Sequence, residues 1–282
     1  GGGGFMVIYL KEEDKTIAID YREKAPSAAT RDLFLDENGD YDRKKAQFSL
    51  LSAGVPGSVA GFHHALTKYG TLTWEEVLQP AIKLAEDGFV IPHDLANTLA
   101  SKRYRERLSA DPAAAKVFFK KNKEIYSAGE ILVQKDLAWT LKQLSQNGPE
   151  AFYSGDIAKL IVKEMERNGG LITLQDLKNY NVAERQPLVG DYKGYKVVSM
   201  PPSSSGGTHL IQMLNMLEDF PIKEMGFGSA DTIHILAEVM KRAYADRSKY
   251  LGDSDFYKVP SSLTSKKYAK ALNKEISLDQ VT

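Results

Sequence analysis

The side chain best placed to bind an anion is Arg22, which closes the second of two apolar runs near the start of the chain. These runs, residues 5–10 and 16–21, are rich in β-branched and aromatic residues and flank a short charged turn. The pattern predicts a β-hairpin with at least one buried face, whose second strand ends on Arg22. An arginine at the rim of a buried sheet can grip a carboxylate with two parallel hydrogen bonds. The alternative is an ordinary ion pair with a nearby Asp or Glu.

A second candidate is the small-residue stretch 201–207, Pro-Pro-Ser-Ser-Ser-Gly-Gly. It follows an apolar run at residues 195–200, which predicts a strand, and precedes a predicted helix over residues 209–217. A strand, a small-residue turn and a helix start can present backbone N–H groups to an anion. The stretch is equally explained as a tight turn in which glycine permits close packing of helix on strand. Both interpretations remain open at this point.

The sequence contains no complete catalytic constellation. A serine hydrolase needs a serine with a histidine and an acid, often in a G-x-S-x-G elbow. The serines at 203–205 are not in such an elbow, and His209 lies on the following helix and need not face them. The chain also has no H-E-x-x-H motif and no P-loop.

Metal sites are not indicated either. His63 and His64 are adjacent on a predicted helix, where neighbours point about 100° apart, so they cannot easily share one ion. A calcium loop near Asp253 and Asp255 would lack the EF-hand spacing and its terminal Glu. No cofactor or metal is therefore expected.

The composition excludes several classes of function. The 37 Lys and Arg residues equal the 37 Asp and Glu residues, which gives no electrostatic case for nucleic acid or an anionic membrane. The absence of cysteine rules out disulfides, thiolate metal sites and a Cys nucleophile. No apolar run approaches the roughly 20 residues that a membrane-spanning helix needs.

One long helix is predicted over residues 231–250. Its expected buried stripe contains Ile233, Leu236, Ala237, Met240 and Tyr244. At its end, Asp246 and Arg247 lie close in sequence to Asp253 and Asp255, which predicts an ion-pair network that locks the last turn.

Several motifs, in order along nearly the whole chain, resemble the large subunit of the γ-glutamyltranspeptidases, which are N-terminal-nucleophile hydrolases. The matching stretches are the four glycines before Phe5 and residues 20–26, 54–62, 152–155, 190–195, 201–207 and 244–253. Ser203 stands where most members have a third proline, which is a minor departure.

The resemblance implies an α+β fold, a four-layer αββα sandwich of the N-terminal-nucleophile hydrolase type to which both subunits contribute strands. We expect this chain to be most of the large subunit, as a single domain over residues 1–282. Within it, residues 1–57 would form a hairpin and loop, residues 58–180 a mainly helical block, and residues 190–282 a strand–turn–helix unit with C-terminal helices.

The resemblance also implies the function. The family cleaves γ-glutamyl amides such as glutathione and passes the glutamyl group to water or an amino acceptor. The nucleophile is the N-terminal Thr of a small subunit that self-cleavage of the precursor creates. Arg22 would grip the substrate α-carboxylate, and Gly206 and Gly207 would shape the backbone near the site. The expected partners are that small subunit and the substrate, and the family implies a secreted or periplasmic address.

The chain ends before the expected processing site, so we expect it to contain no catalytic residue and to be inactive alone. One alternative is a related acylase acting on a β-lactam side chain, or a hydrolase of poly-γ-glutamate. Another is a non-catalytic module that binds an acidic ligand through Arg22.

Overall fold

A computed structural model describes residues 2–120 and 124–282 of the chain. The described chain divides into two compact units, which are treated separately. Unit 1 contains residues 2–3 and 23–181, and unit 2 contains residues 4–22 and 182–282. The division into two units does not test the expectation of a single domain over residues 1–282, which stays a prediction.

Unit 2 begins with the predicted hairpin. Strands β1 (Phe5–Leu10) and β2 (Lys15–Asp20) pair antiparallel, from Phe5 opposite Asp20 to Leu10 opposite Lys15. The last four residues of β2 are all buried. The prediction that the second strand ends on Arg22 is wrong by two residues. Tyr21 still exchanges backbone hydrogen bonds with Gly4, whereas the Arg22 amide turns away to the side chain of Asp20.

Unit 1 is mainly helical. Its helices are α1 (Arg43–Phe48), α2 (Ser58–Tyr69), α3 (Trp74–Asp87), α4 (His93–Ala100), α5 (Lys102–Ala110), α6 (Pro112–Phe118), α7 (Lys135–Asn147), α8 (Glu150–Tyr153), α9 (Asp156–Asn168) and α10 (Leu174–Lys178). Two short strands, β3 (Phe89–Val90) and β4 (Ile131–Leu132), pair antiparallel.

Local sequence signals begin and stabilise these helices. Thr73 and Glu76 form a capping box at the start of α3, and Thr173 and Asp176 form another at α10. Each box satisfies amide groups that the first helical turn cannot pair internally. Three buried residues, Leu144, Ala151 and Ile157, pack together and join α7, α8 and α9 in one small core.

The rest of unit 2 alternates short strands and helices. These elements are β5 (Ala183–Arg185), β6 (Leu188–Tyr192), β7 (Tyr195–Ser199), α11 (Ser205–Leu217), α12 (Ile222–Met225), α13 (Ala230–Tyr250) and α14 (Lys266–Asn273). β5 pairs antiparallel with β2, so the first sheet has the order β1-β2-β5. β6 and β7 form a separate hairpin. The mixture of helices and antiparallel sheets confirms the α+β class.

The core of unit 2 shows that the predicted buried stripe of α13 is wrong. Residues from α11, α13 and α14 form this core: Met216, Ile235, Val239, Ala243 and Ala269. The predicted stripe is exposed instead, with 59% of Ile233 and 61% of Tyr244 accessible to solvent. The buried face also contains Glu238 and Asp246, which have partners inside the unit. A pattern that counts only apolar residues cannot recognise such a face.

No helix in the described ranges is both long enough and apolar enough to span a bilayer.

Candidate functional site

Arg22 is exposed and lies two residues beyond the end of β2. The backbone that carries it is fixed by Asp20, only 8% exposed, whose Oδ1 accepts a hydrogen bond from the Arg22 amide at 3.2 Å. A buried carboxylate is stable only when cations or hydrogen bonds satisfy its oxygens. The position of Arg22 therefore depends on what holds the other oxygen of Asp20.

Arg185 in β5 supplies that second partner. Its Nε donates to Oδ2 of Asp20 at 2.8 Å, and its two terminal nitrogens donate to the two carboxylate oxygens of Asp255 at 2.7 and 2.9 Å. The hydrogen bonds that Arg185 donates to Asp255, together with the one that it donates to Asp20, raise the pKa of Arg185 above its ordinary value against the opposing effect of burial. The guanidinium therefore stays charged and joins two carboxylates through one rigid fork.

The segment that carries Asp255, here called the 252–257 loop, also contacts the stretch 201–207. Oγ of Ser254 donates to the carbonyl oxygen of Pro202 at 2.9 Å. Within the loop, the Asp255 amide donates to Oδ1 of Asp253 at 3.0 Å, which orders its backbone. The same loop thus contacts both the Arg185 cluster and the turn that precedes α11.

At the turn before α11, the start of that helix packs closely against the end of β7. α11 begins at Ser205, four residues earlier than predicted, with Ser204 as its N-cap. A Cβ built on Gly207 would lie 2.2 Å from the carbonyl oxygen of Met200, a separation that no side chain could occupy. A Cβ on Gly206 would meet only Oγ of Ser204, at 3.4 Å. Of the two interpretations left open by the sequence, the structure supports close packing, and it requires glycine at 207 but not at 206.

The histidine near the serines does not complete a triad. His209 is buried, its Nδ1 lies 3.1 Å from Oε1 of Gln212, and its Nε2 has no hydrogen-bond partner among the described residues. Ser205 instead accepts a hydrogen bond from Nε of Arg247 at 3.2 Å. A serine-hydrolase mechanism at this turn is therefore not supported.

The predicted network at the end of α13 is wrong in its partners. Asp246 accepts hydrogen bonds from the side chains of Gln212 and Tyr268. Arg247 donates to Ser205, and Arg185 binds the carboxylate of Asp255. Burial, together with the bond to Asp246, raises the pKa of Tyr268 to about 12. This polar cluster joins α11, α13 and α14 inside unit 2.

Within residues 2–120 and 124–282, no cluster of His, Asp or Glu has the arrangement of a metal site. His63 packs edge-on against the ring of Trp74, with the ring centroids 5.2 Å apart. The adjacent histidines thus give no support to metal binding.

Sequence reasoning missed Arg185 and Ser254, and it grouped Asp255 with Arg247 rather than with Arg185. One signal could have indicated part of the cluster. Asp20 is a carboxylate that directly follows the apolar, buried residues 17–19 of β2, and a buried group of this kind requires a partner. The identity of that partner could not be read from the sequence, because 165 residues separate Arg185 from Asp20.

Comparison with known proteins extends these observations. The family model described as gamma-glutamyltranspeptidase matches residues 1–282. The glutathione hydrolase proenzyme of Escherichia coli (strain K12) is 52% identical over 281 residues, which cover 99% of this chain and 48% of that protein. The acylase ACY 1 proenzyme of Pseudomonas sp. (strain V22) is 39% identical, with coverage of 99% and 50% respectively.

The solved structures agree with the sequence matches. The crystal structure of Helicobacter pylori γ-glutamyltranspeptidase superposes on this chain with a TM-score of 0.96 at 49% identity, covering 100% of this chain and 80% of that one. The chain spans about half the length of the curated relatives that it matches.

Proposed function

Because the chain belongs to the γ-glutamyltranspeptidase family and has its N-terminal-nucleophile hydrolase fold, we propose that it is the large-subunit part of an enzyme that cleaves γ-glutamyl amides such as glutathione. The glutamyl group passes to water or to an amino acceptor. The observation that carries this proposal is the place of Arg22: an exposed arginine two residues beyond the buried end of β2, on a backbone held by Asp20.

Arg22 binds the α-carboxylate of the glutamyl group. Its planar fork matches the two oxygens of a carboxylate, and an ion pair of this kind fixes orientation as well as charge. The α-carboxylate is the part of a γ-glutamyl substrate that the reaction leaves unchanged. Binding energy from this group can therefore align the distant γ-amide for attack.

Gly206 and Gly207 shape the backbone next to the site. The close approach of Gly207 to Met200 supports this role for Gly207, since it fixes the start of α11 against β7. The open space at Gly206 supports only a milder contribution from that residue.

The nucleophile is the N-terminal Thr of a small subunit produced from the same precursor. Its hydroxyl attacks the γ-carbonyl carbon, and its free α-amine takes the proton, because a threonine hydroxyl is unreactive at neutral pH without such a base. The amide nitrogen leaves with a proton, and the resulting ester is then opened by water or by an amine. Backbone N–H groups stabilise the oxyanion in both steps.

The test uses the full-length protein and release of a chromogenic amine from a γ-glutamyl anilide. Arg22→Ala should cost about 2–5 kcal/mol of binding free energy, seen mainly as a KM at least 30-fold higher. Arg22→Lys keeps the charge but loses the planar fork, so its KM should fall between those of wild type and Arg22→Ala. Arg103→Ala, on exposed helix α5, is the matched control and should behave as wild type. No turnover by the wild type, or an unchanged KM in Arg22→Ala, would refute the proposal.

A related acylase is the second candidate, favoured by the 39% identity to the acylase ACY 1 proenzyme. A hydrolase of poly-γ-glutamate is a further variant of the same chemistry. A substrate panel separates them: a γ-glutamyl anilide, a β-lactam amide without a free α-carboxylate, and poly-γ-glutamate. Binding of glutamate through Arg22 without any turnover would indicate the non-catalytic module.

A further inference from the structure

Arg185 occupies the centre of a three-residue ion cluster. It bonds a buried carboxylate, Asp20, through Nε, and a half-exposed one, Asp255, through both terminal nitrogens. The side chain of Arg185 is itself 18% exposed, and that of Asp20 is 8% exposed. An arginine that donates from all three of its guanidinium nitrogens in this way is a rigid link, because no rotamer change preserves all three bonds.

One end of this link reaches Arg22. Oδ2 of Asp20 is held by Arg185, while Oδ1 of the same carboxylate accepts the Arg22 amide. Rotation of the Asp20 carboxylate would break both bonds together. Arg185 therefore fixes the direction in which the chain leaves β2, at the point where the strand ladder no longer does so.

The other end reaches the turn before α11. Asp255 holds the 252–257 loop against Arg185, and Ser254 of the same loop bonds the carbonyl oxygen of Pro202. All of these residues belong to unit 2. A series of hydrogen bonds, joined at one point by the backbone between Ser254 and Asp255, thus runs from the Arg22 backbone, through Arg185, to the 201–207 stretch.

We propose that Arg185 is a positioning residue for substrate binding, which acts through Asp20 on Arg22 while Asp255 holds the other end of its guanidinium. This inference rests on the proposed function, in which Arg22 binds the α-carboxylate. Arg185 does not touch the substrate. It holds the carboxylate-binding arginine in the orientation that binding requires, so its loss weakens binding more than it slows the bound substrate.

The experiment is a double-mutant cycle in the full-length protein with a γ-glutamyl anilide as substrate. Arg185→Lys keeps a positive charge but cannot bridge two carboxylates, so KM should rise about tenfold while kcat changes less than threefold. Since Arg185 acts through Arg22, the same substitution made in an Arg22→Ala background should change KM less than twofold. A merely structural role would lower activity by a similar factor in both backgrounds.

Two further variants keep the test decisive. Asp255→Asn removes the charge of the exposed partner and should also raise KM. It supplies the test if Arg185→Lys folds poorly. Arg242→Lys breaks a comparably buried ion pair, with Glu238 in α13, and is the matched control. Its KM should stay within twofold of wild type.

The outcomes separate this inference from the function on which it rests. If Arg22→Ala leaves KM unchanged, the assignment of Arg22 fails, and the positioning role fails with it. If Arg22→Ala raises KM but Arg185→Lys and Asp255→Asn behave as Arg242→Lys does, only the role of Arg185 is overturned. Equal KM increases from Arg185→Lys with and without Arg22 would also overturn it.

Discussion

The hydroxyl of Tyr153 donates a hydrogen bond to the backbone carbonyl oxygen of Pro56 at 2.8 Å, across 97 positions of sequence. The hydroxyl oxygen of Tyr153 in turn accepts a hydrogen bond from the amide of Ala60 at 3.2 Å. One side chain thus pairs two backbone groups at the start of α2. Burial raises the pKa of Tyr153 to about 12, so this hydroxyl remains protonated at every pH where the protein would be assayed.

We expect Tyr153→Phe to destabilise unit 1 by about 1–3 kcal/mol, because it leaves the Pro56 carbonyl and the Ala60 amide without their partner. Tyr41→Phe, which removes an exposed hydroxyl in the same unit, should change the free energy of unfolding by less than about 0.5 kcal/mol. Urea unfolding of both variants measures the difference. Equal stability of the two would mean that the Tyr153 hydroxyl contributes nothing.

Alanine substitutions at the two neighbouring glycines of the 201–207 stretch should have very different effects on stability. Gly207→Ala places a methyl group on the carbonyl oxygen of Met200 and should cost about 1–3 kcal/mol or more, since the backbone must move. Gly206→Ala meets ordinary space and should be neutral or stabilising by up to about 1 kcal/mol, as alanine favours helix. Thermal unfolding and the yield of folded protein check this. A harmless Gly207→Ala would contradict the close contact.

Removing Asp246 from its polar cluster should lower the free energy of unfolding more than removing an exposed aspartate from the same helix. Asp246→Ala leaves the buried amide of Gln212 and the hydroxyl of Tyr268 without an acceptor, at a cost of about 1–3 kcal/mol. Asp231→Ala, in the exposed first turn of α13, should cost less than about 1 kcal/mol. Combining Asp246→Ala with Gln212→Ala should cost less than the sum of the two, and strict additivity would argue against the cluster.

Low pH should reduce the stability of unit 1 against unfolding, through protonation of Asp176. Burial alone would raise the pKa of this carboxyl, but hydrogen bonds from Ser27 and Thr173 outweigh it and lower the pKa to about 2. An unfolded chain has an aspartate pKa of about 3.9. The contribution of Asp176 is therefore complete above about pH 4 and is lost as the pH falls towards about 2.

The variant Asp176→Asn isolates this effect. Its loss of stability relative to wild type should be largest near pH 7 and smaller at pH 3, because at pH 3 the unfolded wild type binds a proton at this carboxyl whereas the folded wild type mostly does not. Urea unfolding at the two pH values measures the difference. A loss that is the same at pH 7 and pH 3 would show that the carboxylate charge does not matter.

Local sequence determined much of this protein. The hairpin of β1 and β2 follows from two short apolar runs around a charged turn, and Thr73 and Thr173 mark helix starts through their own capping boxes. Such features depend on residues within a few positions of each other, so their physics is present in the sequence itself. The family motifs likewise led to Arg22 as a carboxylate-binding residue, which stays a prediction until its variants are measured.

Other features depended on contacts that only the folded chain creates. The buried face of α13 was decided by the partners of Glu238 and Asp246, since a polar residue can be buried when the tertiary structure satisfies it. Glycine is required at 207 but not at 206, because the distance to Met200 is set by the packing of α11 on the end of β7. Arg185 reaches Asp20 only because β5 pairs with β2, and hydrogen bonds between distant strands leave no local trace in the sequence.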